Sequence, residues 1–357
     1  MEAPAKAKKY SRLKYALSLV DTAYLLLLLF LFQVTGLAKI FAGIFILPAY
    51  LFVLYIIYYL LNFPLNLYQT FILEHRFGLS SQKIRDWAGD QLKSGVIFYL
   101  ILLMLCAAFY YLVRIHPATW WLEVSLFWIF FSLILARLTP AVIIPLFFKY
   151  KKLESGPLRE RIIRLADKME IRLLDIFEID FSKKTLKGNA AFVGWGRSRR
   201  VILADTLRGK YSDDEIEVIL AHEFAHYKLR HLLKLIFINS LAIIAAFYFI
   251  FKTSNAVLGV FNLSSLSDPA ALPLVFIYFV VVGIVMQPLE NYLSRIMERN
   301  ADRTALEITG NKEAFISMME KLSQQNLADR NPHPLIKFFF FDHPPIDERI
   351  ALAGNPG

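Results

Sequence analysis

Six long apolar runs separated by charged stretches organise the chain, at about 15–36, 40–68, 94–113, 120–148, 232–251 and 269–289. Each approaches or exceeds the ~20 residues that carry a helix across about 30 Å of hydrocarbon, so each is expected to be a membrane span. Only a very short turn containing Lys39 separates the first two. Pro64, after Asn62 and Phe63, is expected to end or kink the second helix near the membrane surface. Trp120 and Trp121 open the fourth run, where aromatic rings suit the membrane interface. Arg137 falls inside that run and marks either a functional group or a structural pair, with Thr139-Pro140 nearby to break the helix and admit water.

Between the runs the pattern changes. Residues 70–93 are polar and charged, with a loop at Gly78-Leu79-Ser80-Ser81. Residues 149–205 are soluble in character: an amphipathic helix near 158–169, then short β-like runs at 176–181, 190–193 and 201–204. Residues 213–231 read as helix, since Ser212 with Glu215 three positions later forms a capping box and acidic residues crowd the first turn. With no Pro or Gly to break it, this helix is expected to run on into the fifth span, and a loop at 252–268 to precede the sixth. From Glu290 the sequence is again charged and helical.

Composition agrees with a multi-pass membrane protein: 57% hydrophobic, 15% aromatic, mean hydropathy +0.46. The basic leader before the first run lacks a small-residue cleavage site after it, so that run is read as a retained span. The single cysteine, Cys106, lies in an apolar run and excludes an intrachain disulfide framework and a thiolate metal site. Net charge +10 does not signal nucleic acid, because the basic residues cluster beside the apolar runs. Lys6, Lys8, Lys9, Arg12 and Lys14 precede the first span, and Arg76, Lys83, Arg85 and Lys93 lie between the second and third. The alternate connections hold only Lys39, Arg114 and Lys252, which places the N-terminus on the cytoplasmic side. Six spans then bring 149–231 and 290–357 to that same side.

The chemistry lies in His222-Glu223-Phe224-Ala225-His226. Positions four apart on a helix differ by about 40° in azimuth, so His222 and His226 aim at one spot, a geometry suited to Zn²⁺. Glu223 lies on the neighbouring arc, close enough to take a proton from an attacking water. A metzincin would require Gly at 229 and His at 232, where this chain has Leu229 and Leu232. His231, about 140° round the helix from His226, reads as an interfacial or structural histidine. Glu298 and Asp302 share one helical face, and either can ligate zinc while the other orients a ligand imidazole. A His just before Pro-Pro, His343, is a pinned side chain, and Arg349 suits a carboxylate.

These motifs resemble the type I CAAX prenyl proteases, integral-membrane zinc metalloproteases of gluzincin type. The likeness is carried by His222 to His226, Ser294-Arg295 through Glu298 to Asp302, Asn189-Ala190-Ala191-Phe192 with Gly194, and His343-Pro344-Pro345 with Arg349. It extends to Leu73-Glu74-His75-Arg76-Phe77-Gly78-Leu79-Ser80-Ser81-Gln82, and covers about residues 40–352. The resemblance implies that His222, His226 and Glu298 hold one Zn²⁺ per chain, with Asp302 supporting them and Glu223 as general base. It implies that Asn189, Ala190, Ala191 and Phe192 form an edge strand for an extended peptide, and that His343 and Arg349 hold the reacting carbonyl or the peptide's carboxyl end. Eukaryotic members are longer and generally have seven spans. Ala191 stands where an aromatic residue is common in the family.

The expected fold is therefore a mainly α-helical polytopic membrane protein of six spans with a cytoplasmic gluzincin-like α/β zinc-protease domain. Residues 1–148 form a four-span membrane domain, and 149–357 a zinc-protease domain interrupted by a two-span hairpin at about 232–289. The expected activity is a CAAX prenyl protease-like endopeptidase acting on peptide or protein substrates, prenylated or not, in the cell membrane or the endoplasmic reticulum membrane, with no nucleic-acid partner. Two alternatives remain: an HtpX-type membrane-protein quality-control protease, and a transporter or receptor with a structural metal, which would not require Glu223.

Overall fold

The computed structural model describes residues 3–194 and 199–354. Helix α1 (Ala3–Val34) is followed by the short α2 (Leu37–Ile44) and by α3 (Leu47–Leu67), which passes through a π turn at Tyr68–Ile72 into α4 (Leu73–Arg76). Of the two outcomes expected at Pro64, an end or a kink, the end does not occur: the helix runs through it to Leu67. The backbone widens into the π turn instead, where Thr70 Oγ1 donates to the Asn66 carbonyl. Local π adjustments and hydroxyl side chains are how spanning helices absorb a missing N–H. Next come α5 (Ile84–Ile115), α6 (Trp120–Leu138), a second π turn at Thr139–Ile143 containing Pro140, and α7 (Ile144–Phe147).

The polar part is built from β1 (Tyr150–Lys152), α8 (Pro157–Lys168), β2 (Asp175–Ile179), β3 (Ala190–Val193), β4 (Arg200–Ala204) and α9 (Asp213–Lys228). Two long helices, α10 (His231–Val260) and α11 (Leu272–Thr309), follow, and α12 (Lys312–Asn326), α13 (Pro334–Phe340) and α14 (Ile346–Gly354) complete the described chain. Among the described residues, six helices are long and apolar enough to cross a membrane. Their outward apolar side chains, such as Leu60, Phe237 and Val285, are exposed at 65–69%. Lipid is the solvent that suits such surfaces. Inside, Trp120, Phe109 and Phe247 interlock in a buried aromatic cluster.

Several boundaries differ from expectation: the second run is split into α2 and α3, and the third helix begins at Ile84 rather than near 94. The fifth helix runs to Val260, so the anticipated loop from 252 is half helix. More consequentially, α9 and α10 are separate helices, because Arg230 adopts a left-handed conformation (φ 56°) that ends α9 and redirects the chain. Left-handed backbone is unfavourable for arginine by about 1–2 kcal/mol, so tertiary contacts must impose it, and no Gly or Pro announces the break.

The four strands lie in the order β1-β2-β4-β3, with β2 and β4 parallel and both outer pairs antiparallel. Strand β4 is buried on both faces, which explains its unbroken apolar run. Val201 and Leu203 pack with Ile162, Leu220 and Phe224 of α8 and α9. Ile202 and Ala204 face Ile144 and Phe148, at the end of the fourth membrane helix. The sheet is thus pinned between the helix that bears the His-Glu motif and the membrane part.

Segment 79–82 docks the membrane part onto the chain just ahead of β3. Leu186 N donates to the Leu79 carbonyl (2.9 Å), and Ser81 Oγ to the Ser182 carbonyl (2.6 Å). Glu74 accepts from Tyr10 Oη (2.5 Å) and pairs with Lys187 Nζ (2.8 Å), tying α1 to the same place.

Candidate metal centre

Helix α9 begins with a complete capping box: Glu215 N donates to Ser212 Oγ (3.3 Å) and Ser212 N to Glu215 Oε2 (2.7 Å). Glu215 also accepts from Ser317 Oγ (2.6 Å) and Lys321 Nζ (2.7 Å) of α12, which fixes the register of α9 against its neighbour. One face of α9 is buried along Ile216, Leu220 and Phe224, and this orients His222 and His226 toward α11. Phe192 of β3 packs edge-on against Phe224 (5.1 Å between ring centroids) and Tyr227 (5.5 Å).

Helix α11 supplies the third group. His222 Nε2 lies 3.2 Å from Glu298 Oε2, and His226 Nε2 lies 3.1 Å from Glu298 Oε1. The two Nε2 atoms are themselves 3.1 Å apart. His222, His226 and Glu298 each present a ligand atom within 4.8 Å of the others. Two facing imidazole nitrogens need a proton or a cation between them, and Glu298 Oε2, buried 3.2 Å from His222 Nε2, makes no well-formed hydrogen bond. Two imidazoles, one carboxylate and no thiolate form a donor set that fits a divalent catalytic metal with an open position.

One turn further along α11, Asp302 is fully buried and its Oδ1 lies 2.9 Å from His222 Nδ1. Arg349 of α14 grips Asp302 through two bonds, Nε to Oδ2 (2.7 Å) and Nη2 to Oδ1 (2.6 Å), and Nη2 lies 3.7 Å from Glu298. Arg349, expected from the sequence to suit a carboxylate, thus meets a carboxylate of the protein itself while also lining the cleft described below. Asp302 engages its Nε and Nη2 together.

Electrostatics follow this geometry. Desolvation alone would lower the His222 pKa, but Asp302 and Glu298 outweigh it and push it up to about 9. Glu223, partly buried, is raised chiefly by desolvation. A raised carboxylate pKa is what proton exchange near neutral pH requires. For His343, desolvation is outweighed by the hydrogen bond to Asp342 and the charge of Glu298, which raise its pKa. His343 is half-exposed, its Nε2 3.5 Å from Glu298 Oε1 and its Nδ1 2.9 Å from Asp342.

A cleft of about 410 Å³ joins these groups, lined by His222, Glu223, Asn189, Ala190, His343 and Arg349, with Tyr15 of α1 and Met318 of α12. Strand β3 is the edge of the sheet, and Asn189 is exposed with its carbonyl accepting from Ala204 N (3.0 Å). Phe192 turns its ring onto α9, so it builds the wall beneath the strand.

The sequence reading assigned no role to two residues that hold His343 in place. Arg295, buried, donates to the Phe341 (2.5 Å) and Lys337 (3.1 Å) carbonyls, and Asn291 Nδ2 donates to the Phe339 carbonyl (2.7 Å). They close the C-terminal end of α13, three residues before His343. Their positions seven and three residues ahead of Glu298 were the available signal, since they place 291, 295, 298 and 302 on one face of α11.

A membrane-embedded helical bundle carrying an α/β unit with a His-Glu-x-x-His helix and a downstream glutamate defines a membrane metallopeptidase. The chain belongs to peptidase family M48: residues 152–355 match that family, and residues 2–149 match the family described as CAAX prenyl protease N-terminal, five membrane helices. It is a metalloendopeptidase of the CAAX protease type. It is 33% identical over 308 residues to an uncharacterized metalloprotease of Bacillus subtilis, covering 85% of this chain and 72% of that protein. It is 30% identical over 313 residues to CAAX prenyl protease 1 of Saccharomyces cerevisiae, covering 82% and 68%. The crystal structure of S. mikatae Ste24p shares the fold, with a TM-score of 0.88 at 24% identity over 99% of this chain and 89% of that one.

Proposed function

We propose that the chain is a zinc endopeptidase that binds extended peptides along β3 and cleaves near their C-terminal ends, accepting CAAX-type prenylated substrates and tolerating unprenylated ones. In this reading residues 1–148 are the membrane domain and 149–357 the protease domain, interrupted by the hairpin at about 232–289. The N-terminus and the protease domain lie on the cytoplasmic side, because Lys and Arg gather there. The observation that carries the reading is the meeting of His222, His226 and Glu298, with His222 and the neighbouring Glu223 lining a cleft that Asn189 and Ala190 also border.

His222, His226 and Glu298 would hold the ion. When bound, zinc supplies Lewis acidity, polarising the scissile carbonyl and acidifying water at the site. Glu223 takes the proton from the attacking water and delivers it to the leaving amine. His343, protonated beside Asp342, donates toward the carbonyl oxygen as charge develops there. Strand β3 offers main-chain hydrogen bonds, which align a peptide whatever its side chains. Asp302, held by Arg349, keeps the His222 ring oriented.

The test is purified enzyme given a farnesylated CAAX peptide and its unprenylated twin, with products read by mass spectrometry. We expect cuts close to the C-terminus of both. Glu223→Gln should keep full zinc and lose about 10²–10⁴ in turnover. Near-normal turnover by that metal-loaded variant would defeat the mechanism. Internal cuts confined to unfolded membrane proteins, with the farnesylated peptide left whole, would replace the substrate assignment with quality control.

A further inference from the structure

His222 and His226 are held by different kinds of partner. Behind His222 stands the carboxylate of Asp302; behind His226 stands another imidazole. His231, 2% exposed, places its Nδ1 3.0 Å from His226 Nδ1, with the two rings 5.0 Å apart at 75°. It is the first residue of membrane helix α10, and the left-handed turn at Arg230 brings it back beneath His226. On an unbroken helix a residue five positions on would point about 140° away.

A neutral imidazole has one donor and one acceptor nitrogen. His226 turns Nε2 toward Glu298 and His222, so that atom must carry the free lone pair for a cation and the ring proton must sit on Nδ1. That proton meets His231 Nδ1, which can accept it only if His231 carries its own proton on Nε2. The opposite arrangement, with His226 accepting, would put a proton on His226 Nε2 and abolish its use as a ligand.

We infer that His231 is the hydrogen-bond acceptor that fixes the tautomer and ring orientation of His226, making it a positioning residue for the metal contributed by a membrane-spanning helix. The inference rests on the zinc reading above and extends it. An uncharged acceptor holds the ring without adding a further negative charge to a centre that already contains Glu298 and Asp302. It also makes metal binding depend on how the start of α10 packs against the end of α9.

The experiment uses the full chain in detergent micelles and measures zinc affinity by chelator competition. His231→Leu keeps bulk and removes the acceptor; His231→Asn presents its Oδ1 in roughly the place of the imidazole Nδ1. We expect the Leu variant to bind zinc about 10–100-fold more weakly, the range for loss of a partner behind a ligating histidine. The Asn variant should stay within about threefold of the parent, and its cobalt-substituted form should keep the parent's visible absorption spectrum. Parent-like affinity in the Leu variant, or equal losses in both, overturns the inference, the second outcome reducing His231 to packing. If the Leu variant fails to fold, the Asn variant decides: a loss of about tenfold or more overturns. A parent protein that binds no zinc would instead refute the metal reading itself.

Discussion

Asp302→Asn, Arg349→Met and the double variant together measure how far the metal centre depends on a buried ion pair. Asp302 is fully buried, Arg349 is 9% exposed, and two hydrogen bonds of 2.6 and 2.7 Å join them. Opposite charges about 4 Å apart at an effective dielectric near 20 attract by about 4 kcal/mol. Removing one partner of such a pair costs about 3–5 kcal/mol, because the other is left buried with its charge uncompensated. Glu298, 3.7 Å from Arg349, recovers part of this, so about 3 kcal/mol is expected for Asp302→Asn in metal-free protein. Since the double variant leaves no orphan charge, its loss should fall short of the sum by at least about 2 kcal/mol. Asp302→Asn should also weaken zinc binding about 10–100-fold, because an amide is a weaker acceptor for His222 Nδ1. Chemical unfolding of the apo proteins in detergent gives the cycle, with inactivation half-lives as the substitute if refolding fails. Additivity within about 0.5 kcal/mol, or undiminished zinc affinity in Asp302→Asn, would refute the reasoning.

Arg295→Met removes a charged donor from two carbonyls, each such bond worth about 1.5–3 kcal/mol; turnover should fall at least about tenfold as the His343 segment loosens, with zinc content unchanged. Unaltered turnover would show that His343 is held by other means. Burial would raise the Glu215 pKa, but Lys321, Ser317 and the Ser212 N–H outweigh it and lower it. Its folded value then lies below the unfolded one near 4.3, so its contribution is fully present above about pH 4.3 and is lost as pH falls through the folded value. Glu215→Gln should flatten that acid limb of stability, and parallel limbs in both proteins would show that Glu215 does not contribute it.

Periodicity and run length were enough to reveal the membrane helices, since bilayer thickness imposes a length that composition alone satisfies. The capping box and the four-residue spacing of His222 and His226 were equally legible, because both are local to one helix. The alternating and unbroken apolar runs likewise located β2, β3 and β4. What lay beyond sequence reasoning was decided by contacts between distant segments. Nothing local to Leu229-Arg230-His231 foretells a break, since neither Gly nor Pro marks the left-handed turn at Arg230. Pro64 signals a helix end or kink by its own chemistry, yet the helix continues through it to Leu67 and on into a π turn. That Arg349 meets Asp302, 47 positions away, is set only once α14 packs beside α11. Likewise only the crossing of α11 with α9 determines that Glu298 faces both imidazole Nε2 atoms while Asp302 stands behind His222. One helical face offers two carboxylates one turn apart, and a displacement of one turn along the axis, about 5.4 Å, separates a group that meets the metal from one that orients its ligand.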